Sequence, residues 1–69
     1  MPEAIKNPLR VSAKYSLGQP VLIKDVNRIA TVTAIEGIVE QGTYLYTLER
    51  DDTLTPWYTT EGNLQEKPL

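Results

Sequence analysis

The sequence predicts a single small all-β barrel, and three observations carry that expectation. The chain has 69 residues, with neither cysteine nor histidine. Its apolar residues fall in short runs rich in Val, Ile, Thr and Tyr, with alternating character. Turn residues interrupt these runs at close intervals: Gly18-Gln19-Pro20, Gln41-Gly42, Asp51-Asp52 and Gly62-Asn63. Strands this short cover a core only if the sheet curls on itself, so five of them in one small domain imply a strongly bent barrel.

Length and composition set the energetic frame. A domain of this size buries only about 60% of the surface its unfolded chain exposes, so its stability is marginal. No disulfide is available to staple it, and no zinc site of the usual Cys/His kind can be assembled. One apolar core must hold the fold, with self-association as a possible supplement.

The elements follow in order. Residues 1–13 carry two prolines and the spaced apolar residues Ile5, Leu9 and Val11. Pro8 prevents a helix here, so the segment is expected to be an extended N-terminal arm, with the barrel spanning 14–69. The apolar positions of the arm are expected to pack on the barrel, in the same chain or in a neighbour. Val21-Leu22-Ile23 forms a first strand after the Gly18–Pro20 turn.

The stretch 27–42, "NRIATVTAIEGIVEQG", predicts a longer second strand. Alternation puts Ala30, Val32 and Ala34 on one face, and burial of Ile35 would break that parity. A bulge or bend at Ile35-Glu36-Gly37 is expected to reconcile the two. After the Gln41-Gly42 turn, "TYLYTLERDD" alternates again, with Tyr44, Tyr46 and Leu48 on one side and Leu45, Thr47 and Glu49 on the other. "LTPWYTT" reads as a fourth strand, started by Pro56. "EGNL" reads as one 3₁₀ turn, with Thr59 or Thr60 as its cap and Glu61 early in it. "LQEK" is a short fifth strand. The expected core is Val21, Ile23, Ala30, Val32, Ile35, Tyr46, Leu48, Tyr58 and Leu64.

Trp57 and Tyr58 are adjacent in a strand, so they point to opposite faces. Trp is rarely buried completely, and its N–H needs a partner. Tyr58 is therefore expected inside and Trp57 at the rim, beside Tyr15. Trp57 and Tyr15, with Asp51 and Asp52 at the preceding turn, are the candidate partner-binding residues.

The order of these features resembles the SH3-like small barrels of bacteria, the group that includes KOW and Tudor-type modules. "YSLGQPVLI" resembles their entry into the first strand, "ATVTAI" their bent strand, and "YLYTLERDD", "PWYTT" and "EGNL" their closing half. The resemblance covers about residues 14–67 and implies an SH3-like barrel with an aromatic-lined groove or an exposed strand edge for extended peptides. Small plasmid-type dihydrofolate reductases share such barrels, but their Val-Gln-Ile-Tyr motif is replaced here by "LTPWY". KOW modules carry basic loops, and this chain is acidic.

Chemistry narrows the function further. Without Cys and His, nucleophilic triads and imidazole acid–base catalysis are excluded. Glu36, Glu40, Glu49, Asp51, Asp52 and Glu61 stand mostly at turns and strand ends, where solvated charge is the ordinary role. No catalytic, cofactor or metal residue is therefore assigned, and a non-catalytic module with a protein partner is expected.

Nine acidic against seven basic residues give a net charge of −2. Nucleic-acid binding needs a basic footprint, and it would have to use the scattered Lys14, Lys24 and Arg28. It ranks below protein binding, and an oligomeric, pore-type enzyme ranks third. No apolar run approaches a membrane span or a signal-peptide core. The expectation is a cytoplasmic protein, monomeric or a small homo-oligomer through its arm.

Overall fold

The computed structural model describes residues 5–50 and 54–68. It is all-β, with five strands, β1 (Pro20–Ile23), β2 (Arg28–Ile38), β3 (Thr43–Glu49), β4 (Trp57–Thr60) and β5 (Leu64–Glu66), and one 3₁₀ turn, Glu61–Asn63. All pairings between strands are antiparallel, and the sheet order is β4-β3-β2-β1-β5. The two edge strands, β4 and β5, are joined by only the three residues of the 3₁₀ turn. Edges tethered so closely cannot belong to a flat sheet, so the sheet is curled into a small barrel. No helix among the described residues is long and apolar enough to cross a membrane.

Turn chemistry places the strands where the sequence puts them. Gly18 takes φ +81° in the turn before β1, a backbone region that favours glycine. Pro20 then opens β1, where a missing N–H is tolerated. Asn27 adopts φ 55° in the tight turn between β1 and β2, as Asn does readily. Gly42, at φ +66°, closes the β2–β3 hairpin with its N–H on the Ile38 carbonyl at 2.9 Å.

The core consists of Tyr15, Val21, Ile23, Ala30, Val32, Ile35, Tyr44, Tyr46, Leu48 and Leu64. Every expected core residue but Tyr58 is among them. Ile5, Leu9, Ala13, Val26 and Trp57 pack around the margin. Packing density of this kind makes each methyl group count, because so small a core has few substitutes for a lost contact.

Four local expectations are corrected. The irregularity in β2 lies earlier than Ile35–Gly37. Val32 pairs with Leu48 and Ala34 with Thr47, so Thr33 is the extra residue of a bulge. Facing therefore switches at Thr33: Val32 is buried, Ala34 is exposed, and Ile35 is buried again. Gly37 serves close approach of the arm instead, as described below.

The second correction concerns Trp57 and Tyr58, whose facings are reversed. Directly paired residues share a face of the sheet, and Trp57 pairs with buried Leu48 while Tyr58 pairs with Thr47. Trp57 is half-buried against the core and Tyr58 is 62% exposed.

Third, Tyr15 is buried, at 3% exposure, and is no surface aromatic. Its ring meets the Tyr46 ring edge-on, with centroids 5.6 Å apart. Fourth, Thr60 makes no side-chain cap to the 3₁₀ turn. The hydroxyl of Thr59 is instead 3.1 Å from Nδ2 of Asn63, whose amide donates to it.

Candidate interaction surfaces

Two core tyrosines, Tyr44 and Tyr46, turn their hydroxyls toward chain that lies outside the strands, and a third, Tyr15, turns its hydroxyl to β5. A buried Tyr hydroxyl needs a hydrogen bond, and the arm has backbone groups to spare. The Tyr44 hydroxyl accepts from the Leu9 N–H at 2.8 Å and donates to the Val11 carbonyl at 2.7 Å. The Tyr46 hydroxyl accepts from the Lys14 N–H at 3.1 Å and donates to Glu61 Oε2 at 2.5 Å. The Tyr15 hydroxyl donates to the Leu64 carbonyl at 3.0 Å. Tyr44 and Tyr46 stand two apart on β3, so both project to the same face and hold successive parts of residues 9–15.

Glu61 closes the same network, since its Oε2 also accepts the Lys14 N–H at 2.9 Å. The 3₁₀ turn, β3 and the start of the barrel are thus tied at one carboxylate. Burial, reinforced by the hydrogen bond to Glu61, pushes the Tyr46 phenol well above the ordinary tyrosine range. Tyr15 is also raised, first by burial and then by the nearby charges of Glu61 and Glu66. Both phenols stay protonated near neutrality. They are structural donors here, and Glu61 Oε2 takes the Tyr46 hydroxyl and the Lys14 N–H together.

The arm itself lies against β2. The Lys6 N–H donates to the Ile35 carbonyl at 2.9 Å, and the Gly37 N–H donates to the Lys6 carbonyl at 2.8 Å. This is a parallel bridge centred on Glu36. Gly37 is what admits it. A Cβ at Gly37 would overlap the Asn7 carbonyl oxygen and come within 3.0 Å of Leu9 Cγ. Ile5 and Leu9 pack on the core as expected of the arm, whereas Val11 is 62% exposed. A groove of about 370 Å³ runs beside the arm, with Ile35 and Tyr44 in its lining.

On the far side of the sheet, β4 is an edge strand. The guanidinium carbon of Arg50 lies 5.1 Å from the centroid of the Trp57 ring, a cation–π stack. Tyr58 projects from the opposite face of the same strand.

The sequence-predicted site is therefore divided. Trp57 stands at the core margin, Tyr15 is interior, and Asp51 and Asp52 lie outside the described residues. Lys14 and Lys24 do border one shallow hollow of about 470 Å³, but Glu66 borders it with them and Arg28 does not. Among the described residues no three His, Cys, Asp or Glu side chains gather to hold a metal ion.

Glu61 as a ligand of Tyr46, and Gly37 as a seat for the arm, were not foreseen. The Tyr-x-Tyr pair of β3 was the available signal, because two inward phenols require two polar partners. No protein-family model, curated protein or solved structure matches this chain.

Proposed function

We propose that this chain is a non-catalytic interaction module, an SH3-like barrel that docks a protein partner along the free edge of β4. The observation that carries the reading is Tyr58. It is a large aromatic, 62% exposed, on an edge strand. Edge strands offer unpaired backbone groups to an extended peptide, and exposed side chains beside the edge supply selectivity. Tyr is also among the residues most often found at the energetic centre of interfaces.

The strand order and the 3₁₀ turn between β4 and β5 support the SH3-like resemblance drawn from "YSLGQPVLI", "ATVTAI" and "PWYTT". The original pairing of Trp57 with Tyr15 as a groove is replaced by the Tyr58 face, because Tyr15 belongs to the core. The absence of cysteine accords with a reducing, cytoplasmic setting.

The test is a photo-crosslinking residue at position 58, expressed in the native host, with the same residue at exposed Ile29 as the control. A defined protein crosslinked from position 58 and lost on Tyr58→Ala in a reporter of that interaction supports the reading. Equal yields from both positions overturn it. A partner whose binding falls steeply with salt, and which survives Tyr58→Ala, would transfer the function to the Lys14 and Lys24 face.

A further inference from the structure

The outer face of β2, β3 and β4 is built in rows, because directly paired strand residues share a face. Ala34, Thr47 and Tyr58 form one row. Glu36, Leu45 and Thr60 form the row on one side of it. On the other side stands Glu49, exposed and paired with Thr31. Glu49 lies two residues along β3 from Thr47, the partner of Tyr58. Glu49 and Tyr58 are therefore diagonal neighbours, at a spacing of about 7–8 Å that long side chains bridge.

These rows hold two carboxylates, Glu36 and Glu49, and no cation. The imbalance extends along the chain. Residues 29–66 contain seven of the nine acidic residues and a single cation, Arg50. Arg50 turns to the opposite side of β4, where its guanidinium lies over the Trp57 ring at the core margin. Lys6 faces Glu36 from the arm, on the side of β2 away from β3 and β4. Lys14 and Lys24 border the hollow beside β5. The face next to the free edge of β4 is thus acidic, and Tyr58 and Glu49 are exposed on it together.

We infer that the segment docking on β4 is basic, an extended stretch of a partner protein whose Lys or Arg seats between the Tyr58 ring and the Glu49 carboxylate. The inference rests on the edge-docking reading above and names the chemistry of the partner. An added strand takes the unpaired backbone groups of β4, and alternate side chains of that strand fall on the outer face. A cation there meets the negative face of the phenol ring and donates to the carboxylate in a charge-assisted hydrogen bond. An acidic strand is opposed by the same carboxylate, so repulsion as well as attraction selects the partner.

The probes are two capped peptides, Thr-Val-Lys-Val-Lys-Val-Thr and its counterpart with both lysines replaced by glutamate. Each is titrated into the isotope-labelled full chain, and backbone amide shifts report site and affinity. The lysine peptide should move the amides of Trp57–Thr60 and bind about tenfold more tightly than the glutamate peptide, the difference between an attractive and a repulsive exposed pair. Added salt should bring the two affinities together. Glu49→Lys should abolish or reverse the preference, and Tyr58→Ala should weaken the lysine peptide. Equal binding of both peptides along β4 overturns the inference and leaves edge docking standing. A preference unchanged in Glu49→Lys overturns it as well. Lysine-peptide shifts that avoid Trp57–Thr60, or binding of neither peptide, overturn the inference and the edge-docking reading together. Glu49→Gln, which should reduce the preference without reversing it, keeps the measurement decisive if Glu49→Lys does not fold.

Discussion

The hydroxyl of Tyr46 donates to Glu61 Oε2 across 2.5 Å, and this bond joins β3 to the 3₁₀ turn between the two edge strands. The turn is the link that curls the sheet, so the bond acts on barrel closure. Glu61→Ala leaves the Tyr46 phenol without its acceptor and the Lys14 N–H with the Tyr46 hydroxyl alone. A cost of about 1–3 kcal/mol is expected, the range for orphaning a buried donor. Glu61→Gln retains an acceptor oxygen and should cost less. Urea unfolding of the two variants checks this, and equal losses would remove the hydrogen bond from the account.

Alkaline pH should unfold the protein through the same phenols. Tyr46 and Tyr15 have folded-state pKa values raised above the ordinary tyrosine value of 10.0. Between that value and the folded pKa, the unfolded chain releases phenol protons that the folded chain keeps. The stabilisation is fully present below about pH 10 and is lost as pH rises through the folded values. Melting temperature should therefore decline above about pH 10, and Tyr46→Phe should flatten that decline. An unchanged slope in Tyr46→Phe would assign the alkaline loss to other groups.

Trp57 and Tyr58 should behave oppositely on truncation. Trp57 packs on the core margin and carries the Arg50 guanidinium on its ring. Trp57→Ala is expected to cost about 2–3 kcal/mol, below the range for a fully buried aromatic. Tyr58→Ala removes an exposed side chain and should stay within about 0.5 kcal/mol of wild type. Thermal melts of both variants test this. A larger loss from Tyr58→Ala would reverse the facing of β4.

The same pair marks the limit of what the residues disclose by themselves. Alternation within β1 and β3 identified Val21, Ile23, Tyr46 and Leu48 as interior, because strand parity is a local property. The facing of β4 is set by its register on β3, Trp57 to Leu48. The intervening loop does not encode that register in any pattern of its own. Trp57 was expected outside because Trp is seldom fully buried, and a margin position satisfies that preference without reversing it. Tyr15 was expected at the rim from the resemblance to SH3-like barrels, whose loops carry aromatics there, yet the Leu64 carbonyl gives its hydroxyl a buried acceptor. The seat for the arm at Gly37 depends on chain distant in sequence, so glycine there was legible only as a bend.

Thr33 provides the most direct test of the β2 geometry. It is the one residue in this region without a place in the β2–β3 register, which passes from Val32–Leu48 to Ala34–Thr47. Removing it joins Val32 to Ala34 in regular alternation, with Val32 and Ile35 still inward and Ala34 outward. Deleting Thr31 instead leaves the bulge in place and throws the residues before it out of phase, driving Ala30 outward and Ile29 toward the core side of β1 pairing. Deletion of Thr33 should therefore give a cooperative melt at reduced temperature, the loss reflecting the bend that a bulge supplies to a closing sheet. Deletion of Thr31 should abolish the transition. Were the parity switch at Ile35–Gly37, deletion of Thr33 would be the more damaging of the two. Calorimetric scans of the two deletion variants distinguish these outcomes, and the reverse order of stability would move the bulge.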